Sequence, residues 1–369
     1  MPGGAPADGG STTPPASGTG GNGATDGGSA PPPSGPPSSD GGSSQPPDGG
    51  SPPPPPKAHH HHCAWLNDDI ALGTASLIAN ASFFDAVHPY FWTLSSTGSL
   101  NPTSFADDPT IVSTARANSI ELMPLVYGGG DATAIRNVIA SPAAITAHVQ
   151  ALVNLVVSKS YDGIELDYEH LWSASDRPGY TALVQQLAAA LHANGKELSL
   201  AVPAIDVDNG QSGYDYAALA AAGADVIHLM GYDFHGLGSP HMGPLAPIGW
   251  VDAVAARVQQ LGIASSFVLG IANYGVGSNW YANSATVVSQ CGAGYSTTTD
   301  HMLTCSFGVY TAGISPHCTT AQGDVWFEDG ASIAEKARTA QARGLHGVAY
   351  YDLGGEAPGL FDALRAAYP

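Results

Sequence analysis

The chain has 369 residues, with 31 Asp and Glu against 11 Lys and Arg and a formal net charge of −20. An acidic excess of that size repels a nucleic-acid duplex or an anionic membrane surface, and no basic cluster offsets it. It favours a neutral or cationic substrate, and no apolar run reaches the length of a membrane span.

The first 57 residues differ from the rest. Met1–Lys57 holds 16 Pro, 15 Gly and 9 Ser. A segment with so little apolar surface to bury cannot offset its ordering entropy, so a disordered Pro/Gly/Ser-rich linker is expected there, extended at Pro52–Pro56. No basic region followed by an apolar one is legible near Met1, so a secretory leader is not visible. The linker reads as a tether on a secreted or cell-surface protein. His59–His62 close it, and a histidine tract on a flexible tail is read as incidental.

Residues 58–369 are long enough for one large α/β unit. Strand-like runs follow at Cys63–Leu66, Asp85–Leu94, Ile120–Tyr127, Asp162–Glu169, Glu197–Pro203, Asp225–Tyr232, Ser266–Tyr274 and Gly347–Leu353. Amphipathic helical runs lie between them, for example Ile145–Ser158, Tyr180–Asn194, Tyr216–Ala222, Val251–Leu261 and Ser332–Arg343, several stopped by glycines such as Gly195 and Gly262. Eight strands, each followed by a helix, predict an α/β fold of the (β/α)8 TIM-barrel type. An open doubly wound sheet would carry a Gly-rich phosphate loop after its first strand, which is missing. Residues 275–324 form an insertion between the seventh strand and its helix, expected at the barrel mouth as a cleft wall. It carries Cys291, Cys305 and Cys318. With Cys63 these make four cysteines without metal-ribbon spacing, so one or two disulfides and an oxidising compartment are expected.

The densest chemistry lies in the fourth strand. Tyr161-Asp162-Gly163-Ile164-Glu165-Leu166-Asp167-Tyr168-Glu169 places four carboxylates in nine positions of an otherwise buried run. Strand alternation puts Glu165, Asp167 and Glu169 on one face. Stacked buried acids repel and lose hydration, so a functional site explains them better than the fold does. Tyr127, Glu169, Tyr232, Asp233 and Tyr351 all fall at predicted strand ends, where the active sites of such barrels sit. Two carboxylates flanking a glycosidic bond come from opposite sides, whereas Asp167 and Glu169 approach from one. A division of labour follows in which Glu169 is the general acid, Asp167 keeps it protonated, and the substrate supplies the nucleophile.

Asp162-Gly163-Ile164-Glu165-Leu166-Asp167-Tyr168-Glu169 resembles the D-G-x-x-x-D-x-E motif of family 18 glycoside hydrolases. Met230-Gly231-Tyr232-Asp233 is similar to the family's sixth-strand M-x-Y-D, and Gly270-Ile271-Ala272-Asn273-Tyr274-Gly275 to its seventh-strand segment. Gly347–Asp352 sits where the eighth strand ends in an aromatic. Val325-Trp326-Phe327-Glu328-Asp329 with Ser332, Ile333 and Lys336 is similar to the bacterial branch related to spore-cortex-lytic enzymes. The resemblance implies retaining hydrolysis of β-1,4 bonds beside N-acetylglucosamine, in chitin-type or peptidoglycan glycans, with the 2-acetamido oxygen attacking the anomeric carbon.

By matching positions, it implies that Glu169 is the acid/base, Asp167 orients the acetamido group and Tyr232 hydrogen-bonds its carbonyl. Asp233 would contact the sugar and Tyr351 would floor the cleaved subsite. Neither a metal nor a cofactor is implied, the partner is an N-acetylglucosamine-containing polysaccharide, and a monomer is expected. Two positions depart from the family pattern: Glu165 stands for an inner Asp beneath Asp167, and Tyr351 for a Trp. Tyr90, Trp92 and Trp280 are candidate sugar platforms. The competing reading is a non-catalytic carbohydrate-binding barrel, which typically loses the acid that Glu169 retains here.

Overall fold

The computed structural model describes residues 61–369 apart from 68, 207, 209, 240, 293–294, 299–301 and 306–307. The predicted linker, with His59 and His60, lies outside the described residues. Eight parallel strands make the barrel: β1 (His62–Leu66), β2 (Ala86–Pro89), β3 (Leu125–Tyr127), β4 (Gly163–Asp167), β5 (Glu197–Pro203), β6 (Val226–Met230), β7 (Phe267–Ala272) and β8 (Gly347–Tyr351). β8 pairs back onto β1, with His62 beside Val348, and β1 onto β2.

Two of the predicted strands are interrupted at proline. The second breaks after Pro89 and resumes as Trp92–Leu94, which pairs with β3. The third opens as Glu121–Leu122, which pairs with β2, and breaks at Met123-Pro124. Proline has no amide hydrogen for a ladder, so each break falls where the backbone has a donor missing. The carbonyls of Leu122 and Pro124 still accept from the amides of Asp162 and Glu165. The barrel therefore closes.

Helices α1 (Ile70–Ala79), α2 (Pro109–Ala117), α3 (Pro142–Lys159), α4 (Arg177–His192), α5 (Tyr216–Ala221), α6 (Ile248–Gln260), α7 (Gly330–Ala342) and α8 (Leu360–Ala367) surround it. Side chains start several of them. Asp69, Asp108, Ser141 and Asp215 accept from first-turn amides, and Asp329 with Ser332 makes a reciprocal cap on α7. Gly195 and Gly262 follow α4 and α6 at φ of 65° and 74°, the left-handed stops expected from the sequence.

Apolar side chains such as Leu152, Leu183, Leu187, Leu200, Ile227 and Leu269 fill the layer between strands and helices with no exposure. Each contributes about 1.5–3 kcal/mol by burial. The lumen is different. Beside Cys63, Ala86 and Ala349 it holds fully buried His88, Glu165, Ser199 and His228.

Between β7 and α7 the chain builds a five-stranded antiparallel sheet in the order Tyr281–Asn283, Tyr274–Gly277, Gly323–Phe327, Ser315–Thr320, Ser296–Thr298. It also contains the helix Ser284–Cys291 and a hairpin of Met302–Cys305 with Gly308–Thr311. A Cys291–Cys318 disulfide ties the helix to the sheet. Cys63 is buried in the lumen and makes no disulfide with a described cysteine. No single helix among the described residues is long and apolar enough to cross a membrane.

Candidate active site

β4 carries the acids to the carboxyl end of the barrel. Its pairing with β3 and β5 (Leu125 and Ser199 beside Glu165, Tyr127 and Ala201 beside Asp167) fixes the register. Ile164 and Leu166 join the outer apolar layer, and Glu165 and Asp167 face inward. The strand ends at Asp167, two residues earlier than the predicted end, so Glu169 lies on the irregular segment that follows it and lines the cleft. His170 and Asp233, which follow Glu169 and Tyr232, have φ of 64° and 59°. Asp and His tolerate that left-handed region better than most residues, at about 1–2 kcal/mol, and such strain collects at functional sites.

The three carboxylates occupy unequal environments. Glu165 is fully buried, with Oε2 2.5 Å from His88 Nδ1 and Oε1 3.2 Å from His228 Nδ1, and Trp65 Nε1 donates to Oε1 at 3.2 Å. Burial alone would raise its pKa, but the His88 and His228 imidazoles outweigh that and hold it well below the usual carboxylate range. Burial works against charge on His88 too, yet the Glu165 carboxylate pushes its pKa up to about 9. Asp167 moves the other way. Burial first, then the charges of Glu169 and Glu165, raise it well above its ordinary value, and its side chain is hydrogen-bonded to Glu169. Glu169 is also raised, because burial and Asp233 outweigh His170 and the Asp167 hydrogen bond. Protonation is therefore favoured on Asp167 and Glu169 and disfavoured on Glu165 beneath them.

These groups open into a cleft of about 370 Å³. Its aromatic lining is Trp65, Tyr90, Tyr127, Tyr232 and Tyr351. Tyr232 and Tyr351 stack with centroids 5.5 Å apart, and Tyr90 tilts against Tyr127 at 5.5 Å. The Tyr351 hydroxyl accepts from Asn67 Nδ2 at 2.7 Å, and Tyr274 donates to Asp233 Oδ1 at 2.6 Å.

Of the residues singled out in the sequence, Glu169, Asp167, Tyr232, Asp233, Tyr351 and Tyr90 line this cleft and Glu165 lies beneath it. Two platform candidates do not join them. Trp92 is 8% exposed in the outer layer, its Nε1 donating to Tyr161 Oη at 3.3 Å and Lys159 lying over its ring. The break after Pro89 interrupts the alternation that would have put Trp92 on the face of Tyr90. Trp280 covers Gly277 and packs against Val287, Val325 and Phe327 inside the insertion.

Residues 84–356 match the profile of the glycosyl hydrolases family 18, most of the chain. The chain belongs to glycosyl hydrolase family 18. This family-18 chain is 37% identical over 126 residues to a Bacillus subtilis protein named as a sporulation-specific glycosylase, covering 34% of this chain and 29% of that relative. A Chromobacterium violaceum chitinase structure superimposes with a TM-score of 0.71 at 24% identity, over 84% of this chain and 98% of the other. A Bacillus cereus spore cortex-lytic enzyme gives 0.70 at 17% identity, over 84% and 74%. At those identities the superpositions establish a shared fold.

Sequence reasoning missed Trp65, Asn67, His88 and His228. The readable signal was a polar or large aromatic side chain at an inward position of a short buried strand: His88 in Ala86–Pro89, His228 in Val226–Met230. Tyr274 lay inside a quoted motif without a role.

Proposed function

We propose that this family-18 protein is a retaining glycoside hydrolase that cleaves β-1,4 bonds beside N-acetylglucosamine by substrate-assisted catalysis. The observation that carries the reading is the convergence of Asp167, Glu169, Tyr232 and Asp233 on one aromatic cleft, where burial raises the carboxyl groups of both Asp167 and Glu169. Glu169 protonates the leaving oxygen while the anomeric carbon–oxygen bond breaks. The acetamido oxygen of the same sugar bonds to that carbon, giving a cyclic oxazolinium, and Asp167 accepts the hydrogen bond of its N–H. Water, deprotonated by Glu169, then opens the ring with net retention. Tyr232 orients the acetamido carbonyl, Asp233 contacts the sugar, and the Tyr351 face floors the subsite.

The substrate class is a chitin-type glycan, as the chitinase among its neighbours acts on. The glycosylase and cortex-lytic relatives make peptidoglycan glycan the second substrate to assay. The Cys291–Cys318 disulfide supports a secreted or cell-surface location. The test is turnover of a fluorogenic N-acetylglucosamine oligomer and of peptidoglycan, with Glu169→Gln lowering kcat by roughly 10²–10⁴-fold and a thiazoline mimic of the intermediate inhibiting. A folded wild type that binds these glycans but cleaves none would be the non-catalytic barrel instead.

A further inference from the structure

The barrel lumen holds a group of side chains that the proposed chemistry does not use. Cys63, His88 and His228, from β1, β2 and β6, are all fully buried. Their imidazole nitrogens and thiol sulfur lie within 4.8 Å of one another. Glu165 faces Nδ1 of both imidazoles, at 2.5 Å on His88 and 3.2 Å on His228, and Ser199 Oγ stands 3.0 Å from Nδ1 of His228. With Nδ1 so engaged, Nε2 is the nitrogen left on each ring. Both Nε2 atoms are buried, and among the described residues neither has a hydrogen-bond partner apart from the Cys63 thiol beside His88. A buried ring nitrogen without a partner, as His228 Nε2 is among the described residues, is costly unless something binds it.

We propose that Cys63, His88 and His228 bind a first-row transition-metal ion of the zinc class, with Glu165 as the carboxylate that orients both imidazoles. Two nitrogens and a thiolate suit a borderline-soft cation. A carboxylate accepting from the far nitrogen of each ligating histidine fixes the tautomer that presents Nε2 to the ion. Metal–ligand bonds of about 2.0–2.3 Å place ligand atoms roughly 3.5–4 Å apart, so side-chain shifts below about 1 Å close the cluster onto an ion. Access is provided, since His88 and Trp65 line the floor of the cleft. Binding requires the Cys63 thiolate and an unprotonated Nε2 on each ring, so the thiol proton and any proton on those nitrogens leave to solvent.

The experiment uses the purified full chain, stripped with a chelator and dialysed against Zn²⁺ or Co²⁺. One tightly held ion per chain is expected after desalting, and the Co²⁺ form should show a thiolate-to-metal charge-transfer band. Cys63→Ser should abolish that band while keeping the circular dichroism and a cooperative melt. Glu165→Gln should weaken binding by about 10–100-fold. H59A/H60A removes two histidines of the terminal tract and should leave band and stoichiometry unchanged. A wild type that takes up no ion, a band that survives Cys63→Ser, or uptake lost in H59A/H60A overturns the proposal.

Discussion

At the residue scale the site turns on three carboxylates whose surroundings push them apart. The His88 and His228 imidazoles hold Glu165 below the usual carboxylate range, while burial raises Asp167 and Glu169, the pair that the proposed reaction uses as its proton store. The last proton leaves such a pair at high pH because its loss creates two adjacent charges. Asp167→Asn keeps the size but removes one of those charges, so Glu169 then titrates alone and deprotonates more easily. The alkaline limb of kcat against pH should move to lower pH, and kcat should fall by roughly 10–100-fold, part of the acid–base contribution. An alkaline limb unchanged in position would show that Asp167 shares no proton with Glu169. The acids were legible because four carboxylates in a buried strand demand a reason. His88 and His228 were not, since a single histidine in a four- or five-residue strand has no spacing to betray it.

At the scale of elements, α7 is joined by a buried ion pair to Glu328, the residue that follows the strand Gly323–Phe327. Lys336 Nζ donates to Glu328 Oε2 at 2.8 Å, with side-chain exposures of 1% and 3%. Removing one partner leaves an uncompensated charge in the interior, so Lys336→Met should destabilise the fold by about 3–5 kcal/mol. The double change Glu328→Leu with Lys336→Met should recover most of that loss, as read by denaturant unfolding. Equal stability of the single variant and the wild type would contradict the pairing. Strand positions were read from alternation, and alternation failed where proline broke it. Pro89 and Pro124 divide two strands that read as continuous, and the first break turned Trp92 away from the cleft. The Gly C-caps and the helices between strands were legible because each rests on a local rule that tertiary packing did not override.

For the whole molecule, the barrel and its insertion are stabilised by different means. The barrel buries a continuous apolar layer, whereas the insertion has a small cluster around Val287, Val325 and Phe327 and the Cys291–Cys318 bond. That bond spans 27 residues, and closing a loop of this length contributes about 3.5 kcal/mol through the unfolded chain. Reduction, or Cys291→Ser with Cys318→Ser, should therefore loosen the insertion first. Limited proteolysis should then cut within 284–327 before it cuts the barrel, and a barrel strand cut first would refute this order. The count of strands and helices made the barrel legible. The sheet order of the insertion was not, because its short polar strands have turn-like composition and their partners are set by tertiary contacts.

The ring around Glu165 also constrains how the barrel can assemble. Its members come from β1, β2, β4 and β6, with Trp65, His88, Glu165 and His228 contributed in that order. A strand that docked one residue out of step would exchange its inward and outward faces. Such a slip in β2 or β6 would leave the buried Glu165 carboxylate without one of its imidazoles, a penalty of several kcal/mol. The polar lumen acts as a checksum on register, accepting closure only when four separated segments of the chain arrive in phase.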